Sequence, residues 1–243
     1  MKHRMSIHLL RSRVHDDFAD LRELVAITET HLKKETTRLA AKVAKELNQL
    51  PEEQKEFATG WYADDFVRLD RVFPGIQRRA LFITLMCMTE ADILLVCEMC
   101  RRAYELPRPF KKKRNQGLIA QALAYLQDNL TIQMRSLKDQ WDIVQNLWSI
   151  RNTFVHNDGK PRSTELEGIL KFCAPIPTVV LDHHNRIILH RGSVEMALHA
   201  VDLFFSQLLD EIDRNKLPPE DNERKKEAQA IGDPGSPQPE ACR

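Results

Sequence analysis

From about Gly75 to Tyr104 the chain carries a helix-length segment whose run Ala80-Leu81-Phe82-Ile83-Thr84-Leu85-Met86-Cys87-Met88 is apolar on nearly every side. A helix without a polar face has to be surrounded by other elements. The segment therefore predicts the central helix of a bundle, opened by Pro74 and stopped by Leu106-Pro107-Arg108-Pro109. Composition agrees: eight glycines and three tyrosines are few for a many-turned all-β fold, and 42% apolar residues can fill a core. The expected class is all-α. At 243 residues the chain allows one large domain or two small ones.

The rest of the chain reads as elements around that helix. Asp16 to Leu50 has apolar residues at helical spacing (Leu21, Leu24, Val25, Leu39, Val43, Leu47) and predicts one long helix. Pro51-Glu52-Glu53-Gln54 starts a short helix that Thr59-Gly60 ends. A basic loop, Lys111-Lys112-Lys113-Arg114, leads to a helix from about Gln116 to Leu130. Ser136 or Asp139 caps the next, which runs to Asn157 and stops at Asn157-Asp158-Gly159 before Pro161. Thr178 to Leu181 and Arg186 to Leu189 flank Asp182-His183-His184-Asn185 and predict a small β-hairpin. Ser193 caps a last amphipathic helix to about Arg214, with Val194, Ala197, Leu198, Val201, Phe204, Phe205, Leu208 and Leu209 inward. From Leu217 the chain is polar and Pro-rich, the pattern of a disordered tail. The expected organisation is residues 1–70 as a long helix and connector packed on the core, 71–214 as the helical domain, and 215–243 as the tail.

Several function classes are disfavoured. Glu90, Asp92 and Glu98 break the longest apolar stretches, so no membrane-spanning segment is expected. The Ile7–Leu10 patch between basic residues is too short for a signal peptide. Five scattered cysteines (Cys87, Cys97, Cys100, Cys173, Cys242) suit a reducing, cytoplasmic compartment. Cys97 and Cys100 lack a second pair and read as core thiols rather than metal ligands. A net charge of +1 leaves nucleic-acid binding to a local patch.

Chemistry concentrates in Arg151-Asn152-Thr153-Phe154-Val155-His156. On a helical wheel Ile143, Leu147, Ile150 and Phe154 form one apolar flank, Trp141, Val144, Trp148 and Val155 the other, and Arg151 points between them. Asn152 and His156, four residues apart, share a polar edge. A charge in that position needs an anion or several acceptors. Glu90 offers an internal carboxylate, and an Arg151–Glu90 pair fixing helix register in a non-catalytic interaction or RNA-binding module is one reading. The other is catalytic. Arg151 holds a phosphate with its planar fork, Asn152 orients a ribose hydroxyl or phosphate, and His156 moves a proton near neutral pH. Arg plus His without a carboxylate cluster fits metal-independent RNA cleavage, in which the ribose 2′-hydroxyl attacks its own phosphate.

At these residues the chain resembles the HEPN superfamily of all-α domains, in the RiboL-PSP-HEPN/MAE-like branch of bacterial toxin and defence proteins. The family's R-x4–6-H motif, with a polar residue after the Arg, is matched by Arg151-Asn152-x3-His156. A strongly apolar helix with an embedded Glu90 precedes it, and a hairpin and a Phe-rich helix follow. The resemblance implies a helical bundle with a small β-hairpin before the last helix. It implies a homodimer in which two copies of the motif face each other across one composite site, an RNA substrate, and an antitoxin or defence-system protein as partner. Arg151, Asn152 and His156 would line that site, with Glu90 as an addition; no cofactor and no metal are implied. The Tyr that adenylylated HEPN toxins carry two residues after the His is Asp158 here, so that form of control is not expected.

Other features read as surface or core. Lys111 to Arg114, with Arg101, Arg102 and Arg108, can track an RNA backbone or simply form a solvated loop; Phe110 alone is too little for a stacking platform. His183, His184 and His190 are expected at the surface. Trp61, Trp141 and Trp148 are expected in the core, and Phe204 and Phe205 in the core or a dimer interface.

Overall fold

The computed structural model describes residues 2–113, 117–130 and 132–214. The polar segment 215–243, with Cys242, and the basic Arg114 lie outside them.

Ile7, Leu10, Val14, Phe18, Leu21 and Val25 recur three and four residues apart and are all buried along one face of α1 (Lys2–Leu47). The helix begins well before Asp16: His8 and Arg13 are exposed and Arg11 is half-buried, while Ile7 and Leu10 join the core. At 1.5 Å per residue it spans roughly 70 Å. Beyond Leu32 only Val43 is a buried apolar side chain on it. The first two-thirds of α1 thus pack on the bundle, and its C-terminal part adjoins α2 (Glu52–Trp61).

After α2 come one short helix, α3 (Ala63–Val67), and a π-helical turn (Arg68–Val72), which runs without a break into α4 (Phe73–Ala103). Pro74 stands in the first turn of α4, as expected, but the turns before it make the helical stretch continuous through it. The widened turn accommodates it: Phe73 N–H reaches the Arg68 carbonyl, and the next residue, Pro74, has no N–H to place. The stretch Ala63–Ala103 is long and apolar enough to cross a bilayer by composition, despite its acidic residues. In this fold α4 is the central helix, with Phe82, Leu85, Met86, Ile93 and Val96 essentially inaccessible. It packs on α1, α5 (Leu118–Asn129), α6 (Met134–Asn157) and α8 (Ser193–Arg214). Cys97 and Cys100 lie on its buried face, where burial pushes both thiols up to about 12.

The caps differ from expectation. Gln133, not Ser136 or Asp139, precedes α6, and Ser136 donates its hydroxyl back to the Gln133 carbonyl at 2.7 Å. Ser193 is the first residue of α8, and its buried hydroxyl has no partner among the described residues. A further helix, α7 (Ser163–Cys173), follows Pro161 unforeseen.

The hairpin forms as predicted. β1 (Val179–Leu181) pairs antiparallel with β2 (Ile187–Leu189), Val180 opposite Ile188. The Asp182 carboxylate accepts from the N–H groups of Arg186 and His184, both at 2.8 Å, which hold it below the usual carboxylate range. His183 and His184 are exposed in the turn. On α8 every residue expected inward is buried; Phe205 meets Phe18 of α1 at 5.6 Å and Phe204 meets Trp141 of α6 at 6.1 Å between ring centroids. The fold is all-α with a small hairpin before the last helix, and one core joins α1 to the rest. Trp61 is not part of that core: it is 63% exposed on α2, edge-on to Phe57, because neither neighbouring element covers that face.

Candidate functional site

α6 carries Arg151 to His156 in its last two turns and ends where its sequence dictates. Asp158 takes a left-handed backbone (φ 48°), Gly159 follows at φ 79°, and the Gly159 N–H closes on the Thr153 carbonyl at 3.0 Å. Two distant elements then grip that turn. The Asp158 carboxylate meets Arg79 of α4 at 2.9 Å and Arg186 of the hairpin at 3.7 Å. The Arg79 guanidinium lies 5.0 Å from the Phe154 ring centre, and the Gly159 carbonyl accepts from Ile187 of β2 at 2.9 Å. The turn bearing His156 is thereby held from outside its own helix.

Glu90, Arg151, Asn152 and His156 line a single cleft of about 550 Å³ between α4, α6 and the starts of α5 and α7. Three of them come from one helix; Glu90 arrives because α4 packs on α6. Arg151 is half-buried. Its Nη1 donates to Asn152 Oδ1 at 3.0 Å, its Nη2 lies 3.8 Å from Cys87 Sγ, and its Nε is buried without a partner among the described residues. Among the described residues it makes no ion pair. A guanidinium never deprotonates, so this one is left with an amide and a thiol as its neighbours and with capacity for an anion. His156 is exposed on the cleft wall.

The Arg151–Glu90 pair does not form. Trp148 Nε1 donates to Glu90 Oε1 at 2.7 Å instead. The indole N–H of a half-buried ring needs an acceptor; Trp148 takes the carboxylate, and Arg151 turns to the Asn152 amide. Trp148 is thus a wall of the cleft rather than plain core, and Val155, expected on an apolar flank, is 44% exposed.

Lys112, Arg162 and Glu165 also line the cleft and were not anticipated in it. Arg162 and Glu165 begin α7, where the Glu165 carboxylate accepts from the Arg162 N–H at 3.3 Å. The signal was present as an acidic residue in the first turn ahead of apolar Leu166, Ile169, Leu170 and Cys173 at helical spacing. A larger, more apolar groove of about 900 Å³ between α6, α7 and α8, lined by Ile143, Phe172, Met196 and Leu203, lacks a comparable grouping of the motif with free cations.

No protein-family model, no curated protein and no solved structure matches the chain.

Proposed function

We propose that this protein is a metal-independent endoribonuclease of HEPN type that works in the cytoplasm as a homodimer, in a toxin–antitoxin or phage-defence role. The observation that carries the reading is the Arg151 guanidinium: it lines a polar cleft beside Asn152 and His156 and makes no ion pair among the described residues, although Glu90 and Glu165 line the same cleft. A cation kept unpaired in a half-buried place favours an anionic ligand, and a phosphodiester has the charge and the planar oxygen pair its fork accepts.

In this reading the ribose 2′-oxygen attacks the adjacent phosphorus and gives its proton to a base. The bond from phosphorus to the 5′-oxygen breaks, and that oxygen takes a proton from an acid. The products are a 2′,3′-cyclic phosphate and a 5′-hydroxyl. His156 serves as base or acid, and two facing copies would supply one imidazole for each proton. Arg151 stabilises the charge that grows on the phosphoryl oxygens. Support for pairing two copies comes from α4, where Ile76, Ala80, Cys87 and Leu94 follow one another at helical spacing and are exposed, alongside Val155.

The test is cleavage of end-labelled RNA in EDTA by wild type, Arg151→Ala and His156→Ala. Expected are cyclic-phosphate ends from wild type and a loss of about 100-fold or more in each variant. Equal cleavage by all three would remove the assignment. Ile76→Asp, at a position 61% exposed, should yield monomers by sedimentation and lose cleavage with them.

A further inference from the structure

The basic loop after α4 is fastened to α5, and it divides two grooves. Tyr125 donates its hydroxyl to the Arg108 carbonyl at 2.8 Å. Gln121 holds the Lys113 backbone from both sides: the Lys113 N–H donates to Oε1 at 2.6 Å and Nε2 donates to the Lys113 carbonyl at 3.2 Å. Between these anchors the chain is irregular, and its successive lysines divide. Lys112 lines the Arg151 cleft, whereas Lys111 and Lys113 line a second groove of about 510 Å³. Gly117 borders both.

The second groove has the features of a nucleotide site. Phe110, which sequence alone leaves without an aromatic neighbour, meets Tyr125 at 5.8 Å and 72°, and both rings line the groove. Lys111 and Lys113 are exposed and make no ion pair among the described residues, whereas Arg101 and Arg102 are both committed to Glu98 at 2.6–2.9 Å. Asp128 lines the far wall. Two rings and a carboxylate beside two lysines disfavour a bare anion and suit a unit that is apolar and donor-bearing at one end and anionic at the other.

We propose that this groove binds a nucleotide of single-stranded RNA flanking the scissile phosphate, its phosphate on Lys111 and Lys113 and its base against Phe110 and Tyr125, with Lys112 carrying the strand into the Arg151 cleft. The inference rests on the ribonuclease reading for the direction of the strand, but not for the binding itself. A base with an exocyclic amino group is preferred, because Asp128 accepts from such a group.

Binding of a labelled ten-nucleotide RNA to full-length His156→Ala protein, followed by anisotropy across a salt series, tests it beside wild-type cleavage. Adding Lys111→Ala and Lys113→Ala together should lower the slope of log Kd against log salt by about 0.7, the share of the one phosphate that the two lysines hold. Phe110→Leu should weaken binding about 5-fold or more at every salt concentration through lost stacking. Wild-type slope and affinity in the lysine variant would overturn the proposal even if wild type cleaves RNA. Binding that falls as expected in a protein that cleaves nothing would uphold the groove and sink the nuclease reading. Absence of RNA binding altogether would overturn both and turn the basic loop toward an acidic protein partner.

Discussion

Two arginines, Arg78 and Arg151, reach partly buried positions by opposite routes. Arg78, on α4, is clamped by Glu29 of α1, with Nε on Oε1 at 2.5 Å and Nη2 on Oε2 at 2.8 Å, and it reaches the Leu189 carbonyl of β2 at 3.5 Å. Its side chain is 14% exposed and that of Glu29 only 9%. Arg151 has a neighbouring amide, a thiol and a buried Nε without a partner among the described residues. The first arrangement neutralises the charge and joins three elements; the second holds the charge open at a cleft. Residue type alone does not separate a neutralised arginine from one left open; the geometry of the nearest carboxylate does.

Substituting each arginine should therefore give opposite outcomes. Arg78→Ala leaves Glu29 buried and unpaired, and urea denaturation should show a loss of about 3–5 kcal/mol. Arg151→Ala removes an uncompensated charge and strands no carboxylate, so its stability should stay within about 1 kcal/mol of wild type while RNA cleavage is lost. If Arg151→Ala proves the more damaging to stability, the contrast is reversed and Arg151 is a structural residue.

The seam that holds Glu29 and Arg78 also holds a carboxyl with no such arrangement. Asp92 of α4 is buried, and its Oδ2 has no partner among the described residues. Burial, and secondarily the charge of Asp17 across on α1, push its pKa up to about 6, while Arg13 pulls modestly the other way. A carboxyl whose folded pKa lies above its unfolded value binds more protons when folded. Its contribution thus raises stability as pH falls through about 6, with the gain complete near the ordinary value of 3.8, and costs stability above 6. Asp92→Asn should be more stable than wild type by about 2–3 kcal/mol at pH 7.5, and the two should converge below pH 4. A constant difference across that range would mean that Asp92 does not titrate there.

Much of this was legible in the chain because it is periodic. The central position of α4, the buried stripe of α8 and the stop at Asp158-Gly159 each follow from local spacing or backbone freedom, although one face of α4 stays exposed, and Arg151, Asn152 and His156 share a cleft because they share a helix. The early start of α1 was also written in the three-and-four spacing of Ile7, Leu10, Val14 and Phe18, but dense basic residues masked it. What the chain could not reveal are choices between partners far apart in sequence. Glu90 had both Arg151 and Trp148 on the facing helix, and only packing gave it the indole. Phe110 looked isolated because Tyr125 lies a full loop and two helical turns away. Trp61 looked like core because composition does not say which face of a short helix its neighbours leave bare.

The smallest expected effect falls on the turn that supports His156. Gly159 has φ 79°, a region where an L side chain costs roughly 1–2 kcal/mol. A Cβ there would also lie 3.3 Å from the Phe154 ring and 3.5 Å from Arg79 Nη2, so Gly159→Ala presses on the contact between α6 and α4 as well as on its own backbone. A stability loss of about 1–2 kcal/mol by denaturant titration is expected. Because Gly159 bonds both to Thr153 within α6 and to Ile187 of the hairpin, strain at this residue is passed to the turn that carries His156. Cleavage should then fall by more than the unfolded fraction accounts for, whereas Arg78→Ala should lower it only in proportion to the protein unfolded. Equal behaviour of the two variants would mean that the end of α6 is not a positioning device, and that the cleft owes its shape to the packing of the bundle alone.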